Sequence, residues 1–238
     1  MVTSHGGPTS AASTDFALRT QFWTSRGFAV VDVDYRGSSG YGRAYRKALD
    51  GRWGVADVDD CEAAARHLAD AGGRPRRRMV IRGSSASGLT TLLALTRGVF
   101  AAGASLYGVA DLAALATDTH KFEARYLDGL VGPWPEAAEI YRQRSPITHA
   151  EKLTAPLIIF QGLDDKVVPP SQAEVLVGAL RRAGIAFAYL TFEGEAHGFR
   201  KAATIQRVVE AELSFYGEVL GFTPADNIDP VKMETPQG

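Results

Sequence analysis

Ser85 stands in the run Gly83-Ser84-Ser85-Ala86-Ser87-Gly88, between the apolar stretch Met79-Val80-Ile81 and the helix-like stretch Leu89-Thr90-Thr91-Leu92-Leu93-Ala94-Leu95. Strand, sharp turn, serine and helix make a nucleophile elbow, which lifts the hydroxyl above a sheet. The helix N-terminus behind it offers N–H groups to a developing oxyanion. A serine hydroxyl is a weak nucleophile until a base takes its proton, and that base is usually a histidine held in one tautomer by a carboxylate. Both partners follow in the chain: Asp164 and Asp165 after the apolar run Pro156-Leu157-Ile158-Ile159-Phe160-Gln161-Gly162, and His197 after Phe187-Ala188-Tyr189-Leu190-Thr191-Phe192. The chemistry of such a trio is acyl transfer. Its oxyanion hole needs two donors. The N–H of Ala86, directly after the serine, supplies one, and His5-Gly6-Gly7-Pro8 is a close variant of the HGGG-type loop that supplies the other. Glycines there let backbone approach a bound carbonyl.

Gly162-Leu163-Asp164-Asp165-Lys166-Val167-Val168-Pro169 fits the hydrolase pattern Gly-x-x-Asp-x-x-Val-Pro with Asp165 as the orienting carboxylate, and Asp164 is the alternative. Among the other histidines, His5 comes too early for the order Ser, Asp, His. His67 lies among helix alanines, and His120 and His149 fall in a segment that lines a pocket if it lines anything. The elbow departs from Gly-x-Ser-x-Gly at one place, where Ser87 replaces the second glycine. A Cβ there is expected to crowd the turn, and a nucleophile misplaced by ~1 Å loses on the order of 100-fold in rate.

These residues need a scaffold. Residues 14–26 read as a helix and residues 28–35 as a strand buried on both faces. Val2-Thr3-Ser4 reads as the stub of another strand. The glycine-rich stretch Arg36-Gly37-Ser38-Ser39-Gly40-Tyr41-Gly42 lacks the spacing of a nucleotide-binding loop. Residues 57–71 form an amphipathic helix, residues 101–107, 156–162 and 186–192 three further strands, and residues 171–184 and 201–220 two further helices. Residues 111–150 read as irregular, a length that often builds a substrate pocket. Alternating strands and helices imply a parallel sheet covered on both faces, with the candidate residues at strand C-terminal ends. Residues 1–222 make one domain, followed by a polar, loosely held tail, residues 223–238.

The chain has 238 residues, 45% of them apolar, with 26 basic against 27 acidic side chains, so its charge balance speaks against a nucleic-acid partner. The basic run Arg74-Pro75-Arg76-Arg77-Arg78 reads as a solvated loop. Cys61 is the only cysteine, which excludes a disulfide framework within one chain and a cysteine-based zinc site, and Cys61 itself reads as a helix packing residue. No signal peptide and no long apolar run is evident, and the expected location is the cytoplasm with no membrane partner.

Four blocks together resemble the catalytic domain of the prolyl oligopeptidase family, nearest its acylaminoacyl-peptidase and dipeptidyl-aminopeptidase-like branch. They are His5-Gly6-Gly7-Pro8; Asp34-Tyr35-Arg36-Gly37-Ser38-Ser39-Gly40-Tyr41-Gly42; Gly51-Arg52-Trp53-Gly54 with Asp57 and Asp60; and the three regions around Ser85, Asp165 and His197. The resemblance implies an α/β-hydrolase fold and a serine peptidase. It implies Ser85 as nucleophile, Asp165 as orienter and His197 as base, with backbone donors at Gly7 and Ala86. It implies no metal or organic cofactor, since the serine mechanism needs none. Members of this family usually carry a β-propeller and further strands ahead of the first block, so the N-terminal strands are expected to be truncated here. A homo-oligomer, or a partner chain that supplies the missing segments, is a further expectation. Tyr107, Phe122, Tyr126 and Trp134 are the candidates for an aromatic acyl pocket. The expected substrates are short peptides, aminoacyl amides or small esters. The alternatives are a carboxylesterase of the same fold and a non-catalytic domain.

Overall fold

Leu157 and Ile159 point to one side of their strand and Ile158 and Phe160 to the other, and all four are buried. Side chains alternate across a strand, so a run apolar at every position must be covered on both faces. The computed structural model describes residues 1–72, 76–118 and 125–235. Among them, six parallel strands form one sheet: β1 (Val2–Ser4), β2 (Val31–Val33), β3 (Val80–Ser84), β4 (Ala102–Leu106), β5 (Leu157–Gly162) and β6 (Phe187–Phe192), in the order β2-β1-β3-β4-β5-β6. The helices are α1 (Leu18–Thr24), α2 (Gly42–Lys47), α3 (Ala56–Ala71), α4 (Ala86–Leu95), α5 (Leu112–Asp118), α6 (Tyr126–Leu130), α7 (Ala138–Gln143), α8 (Pro170–Ala183) and α9 (Ala202–Leu220). One core joins α3, α4 and α8 to one face of the sheet, through Val58, Leu92 and Leu176 among others. A second core joins α1 and α9 to the other face, through Trp23, Val208 and Phe215. This is the α/β-hydrolase architecture.

Several expectations change. Val2–Ser4 forms the expected short strand, and it lies inside the sheet, paired with β2 through Val2–Val31 and with β3 through Val2–Ile81. The strand expected over residues 28–35 shrinks to Val31–Val33 at the sheet edge, with Asp32 exposed, because it has a ladder partner on one side only. The helix expected over residues 14–26 starts only at Leu18, and α2 starts at Gly42, inside the glycine-rich stretch. The segment expected to be irregular holds α5, α6, α7 and a 3-10 stretch, Pro146–Lys152. The tail expected to be loosely held makes contacts up to Glu234. Glu234 pairs with Phe187 at the β6 edge, Arg26 binds Asp226, and the Ser214 hydroxyl accepts the N–H of Val231. His120 and Phe122 lie outside the described residues, as do Arg74 and Pro75.

Candidate active site

The triad candidates, the glycine loop and Tyr107 each follow the C-terminal end of a strand: the His5–Pro8 loop after β1, Ser85 after β3, Tyr107 after β4, Asp165 after β5 and His197 after β6. A parallel sheet points all these ends the same way, so Ser85 and His197, 112 positions apart, meet at one pole.

Ser85 has φ 55 and ψ −121, a conformation costly for a residue with a Cβ. It is held by main-chain bonds: its N–H donates to Leu106 O (3.0 Å), and its carbonyl accepts from Gly88 N (2.9 Å). The turn requires glycine at Gly83, where a Cβ would run into the Ser87 carbonyl and come within 2.7 Å of the Thr91 hydroxyl. Ser87 itself is fully buried, and its hydroxyl accepts from Ser84 N–H (2.8 Å) and donates to Ser84 O (2.9 Å). The crowding expected from Ser87 therefore does not part the trio, because its side chain folds onto the strand end preceding the nucleophile.

The Asp165 side chain is fully buried. Its Oδ1 accepts from Val167 N–H and Val168 N–H, both 2.9 Å, leaving Oδ2 for His197 Nδ1 at 2.8 Å. A carboxylate only accepts, so Nδ1 carries the proton and Nε2 presents its lone pair to the Ser85 hydroxyl, 2.8 Å away. Asp164 is exposed and contributes its backbone N–H to Glu195 O (2.9 Å). The structure thus brings Ser85, Asp165 and His197 together and leaves Asp164 outside. Tyr107, at φ 40, sets its ring 4.9 Å from the His197 ring and 5.1 Å from that of Phe199, edge to face in both cases.

The His5–Pro8 loop lies against the elbow: a Cβ on Gly6 would sit 3.7 Å from the Ser85 Cβ. Gly7 has φ 121, and a Cβ there would meet Thr9 N at 2.8 Å, so only glycine suits the turn. Ala86 opens α4, where the first N–H groups of a helix have no intrahelical acceptor. Sequence reasoning missed what holds this loop. The Tyr35 hydroxyl donates to Pro8 O (2.8 Å), its ring stacks on His5 at 4.4 Å, and His5 Nε2 lies 2.6 Å from the Ser38 hydroxyl. Burial pushes the Tyr35 phenol well above its ordinary pKa, so it stays a neutral donor. The signal was the block Asp34-Tyr35-Arg36-Gly37-Ser38, one strand over.

The remaining pocket candidates separate. The Tyr126 hydroxyl lies 2.7 Å from that of Thr9, beside the glycine loop. Trp134 packs edge to face on Tyr141 at 5.1 Å and joins the core. A cavity of about 480 Å³ lined by Met1, Phe28, Met79 and Phe222 lies at the opposite pole, where the strands begin. Among the described residues, no group of three or more His, Cys, Asp or Glu side chains is placed to hold a metal ion.

The model of the prolyl oligopeptidase family matches residues 14–223. A puromycin-hydrolysing peptidase of Mycobacterium tuberculosis superposes with a TM-score of 0.95 at 50% identity, over 98% of this chain and 36% of that one. Dipeptidyl aminopeptidase BIII of Pseudoxanthomonas mexicana is 29% identical over 224 residues, 91% of this chain and 32% of its own length. The acylamino-acid-releasing enzyme of Arabidopsis thaliana is 32% identical over 209 residues, 84% of this chain and 27% of its own. The chain spans about a third of the length of such relatives.

Proposed function

Because the chain belongs to the prolyl oligopeptidase family, we propose that it is a serine peptidase working through an acyl-enzyme on Ser85. The observation that carries this reading is the continuous hydrogen-bonded line from the Ser85 hydroxyl through both His197 nitrogens to Asp165. The Ser85 Oγ attacks the substrate carbonyl carbon while its proton passes to His197 Nε2. Asp165, anchored by two backbone N–H groups, stabilises the imidazolium. The oxyanion is received by the N–H groups of Ala86 and Gly7. Collapse of the tetrahedral species breaks the C–N bond, and the leaving amine takes the proton from Nε2. Water, deprotonated by the same nitrogen, then hydrolyses the ester and restores Ser85.

Short peptides and aminoacyl amides are the proposed substrates. Support comes from relatives that include dipeptidyl and acylamino-acid peptidases and a puromycin-hydrolysing enzyme. The edge of Tyr107 beside His197 suits an aromatic or apolar acyl side chain.

The test is covalent labelling with a fluorophosphonate, read by intact mass and peptide mapping, with Ser85→Ala as control. One adduct on Ser85, absent from the variant, is expected. A well-folded chain that takes up no probe would overturn the proposal. Parallel rates on an aminoacyl anilide and its matching ester, with puromycin as a further amide, then separate a peptidase from an esterase. Anilide turnover at background beside robust ester turnover would favour the esterase.

A further inference from the structure

Glu195 lies two residues before His197, and its side chain is 2% exposed. Carboxylates are rarely buried unless each oxygen is occupied. Here Oε2 accepts from Arg200 N–H and Oε1 from Lys201 N–H, both 2.9 Å. Lys201 is the N-cap of α9, so Glu195 binds the two backbone N–H groups that lead into that helix. The side chain thereby closes the backbone from 195 to 201 into a small ring with His197 on it.

The main chain of the same residue faces the other way. Glu195 O accepts from Asp164 N–H (2.9 Å), and Gly162 comes so close that a Cβ there would collide with the carbonyls of Glu195 and Ala196. One residue therefore ties the histidine loop both to the long helix α9 and to the turn that carries Asp165. Burial alone would raise the Glu195 pKa, but the donors around it more than offset that and hold the carboxyl below its ordinary value.

We infer that Glu195 is a positioning residue for His197: its carboxylate and carbonyl together fix the distance between the histidine loop and the Asp165 turn. This rests on the reading of His197 as the base. A carboxamide in place of the carboxylate turns an NH₂ toward one of the two backbone donors. The loop must then open on that side, and the His197 ring moves with it.

The unaltered chain is compared with Glu195→Gln and with Glu193→Gln, which makes the same charge change at an exposed side chain of the same loop. Three readouts are taken: the thermal melt, the fluorophosphonate labelling rate at Ser85, and the low-field proton resonance of the His197 Nδ1–H to Asp165 bond. Glu195→Gln is expected to stay folded, to label about 10- to 100-fold more slowly, and to broaden or lose the resonance. Glu193→Gln should match the unaltered chain on all three. A folded Glu195→Gln variant with an unchanged labelling rate and resonance overturns the inference. If the unaltered chain does not label at all, the base assignment fails, and the resonance, which needs no turnover, still decides the role of Glu195. Should Glu195→Gln not fold, Glu195→Asp keeps the charge but draws the carboxylate back by one methylene from the Arg200 and Lys201 N–H groups and should slow labelling in the same direction; no slowing then overturns the inference.

Discussion

Ser87 reads one way in the sequence and another in the fold. As a replacement for glycine it suggests a damaged elbow, and its reversion should restore rate. In place, its hydroxyl satisfies both backbone groups of Ser84, and the Ser85–His197 distance remains 2.8 Å. Ser87→Gly removes both bonds, each worth about 1 kcal/mol, and puts glycine into the first turn of α4, at a further cost of up to about 1 kcal/mol. The expected outcome is a protein less stable by about 1–3 kcal/mol by denaturant titration, with no gain in labelling rate. A large gain would mean that the serine does strain the nucleophile. The two adjacent aspartates also part at this scale. Asp165 turns its carboxylate into the buried loop, where Val167 and Val168 N–H groups fix it, and Asp164 points to solvent.

Between elements, the blocks that carry the family resemblance turn out to be fasteners. Arg36 holds Asp60 through its guanidinium (2.7 Å) and its backbone N–H (2.7 Å), fixing the loop after β2 to α3. Asp57 accepts from Gly54 N–H and the Thr90 hydroxyl, fixing α3 to α4 behind the elbow. Tyr35 reaches across from the same loop to the glycine turn. Tyr35→Phe deletes its donor to Pro8 O and leaves that carbonyl without it in a buried setting, which should cost about 1–3 kcal/mol of stability. Because Gly7 rides on this turn, kcat on an aminoacyl amide should fall more than KM rises. An unchanged kcat in Tyr35→Phe would show that the loop holds its own shape without the tyrosine.

Across the whole molecule, the buried carboxylates set how stability responds to pH. Burial pushes Asp57 up to about 6, against the pull of its Thr90 and Gly54 donors. The unfolded chain releases this proton near its ordinary value, so between the two values the native state holds more protons than the unfolded one. Stability from this group therefore falls as pH rises from about 4 to 6, by roughly 3 kcal/mol in all. Denaturant titrations across that range should show the slope in the unaltered chain and a flatter one in Asp57→Asn. Identical slopes would mean that its hydrogen bonds keep Asp57 ionised throughout. A second buried pair, Arg82 with Glu212 at 2.9 Å, bonds β3 to α9 from beneath the elbow, with the Tyr216 hydroxyl on the same carboxylate. α9 is thus anchored from beneath by Glu212, and the backbone entering it is held by Glu195.

Much of this was legible in the chain itself. The parallel, doubly covered sheet follows from strand runs apolar at every position, and the order Ser85, Asp165, His197 follows from turn motifs a few residues long. Such signals are local, and each survives being read without its neighbours. Packing decided the rest. Val2–Ser4 became an interior strand only because β2 and β3 flank it, and β2 became an edge for want of a second partner. The acceptance of Ser87, the tether from Tyr35 to the glycine turn and the ring closed by Glu195 depend on which polar atoms meet within hydrogen-bond distance. Periodicity shows which face of an element is buried, but not which atom lies opposite a given one, and these hydrogen bonds form only once the elements have docked.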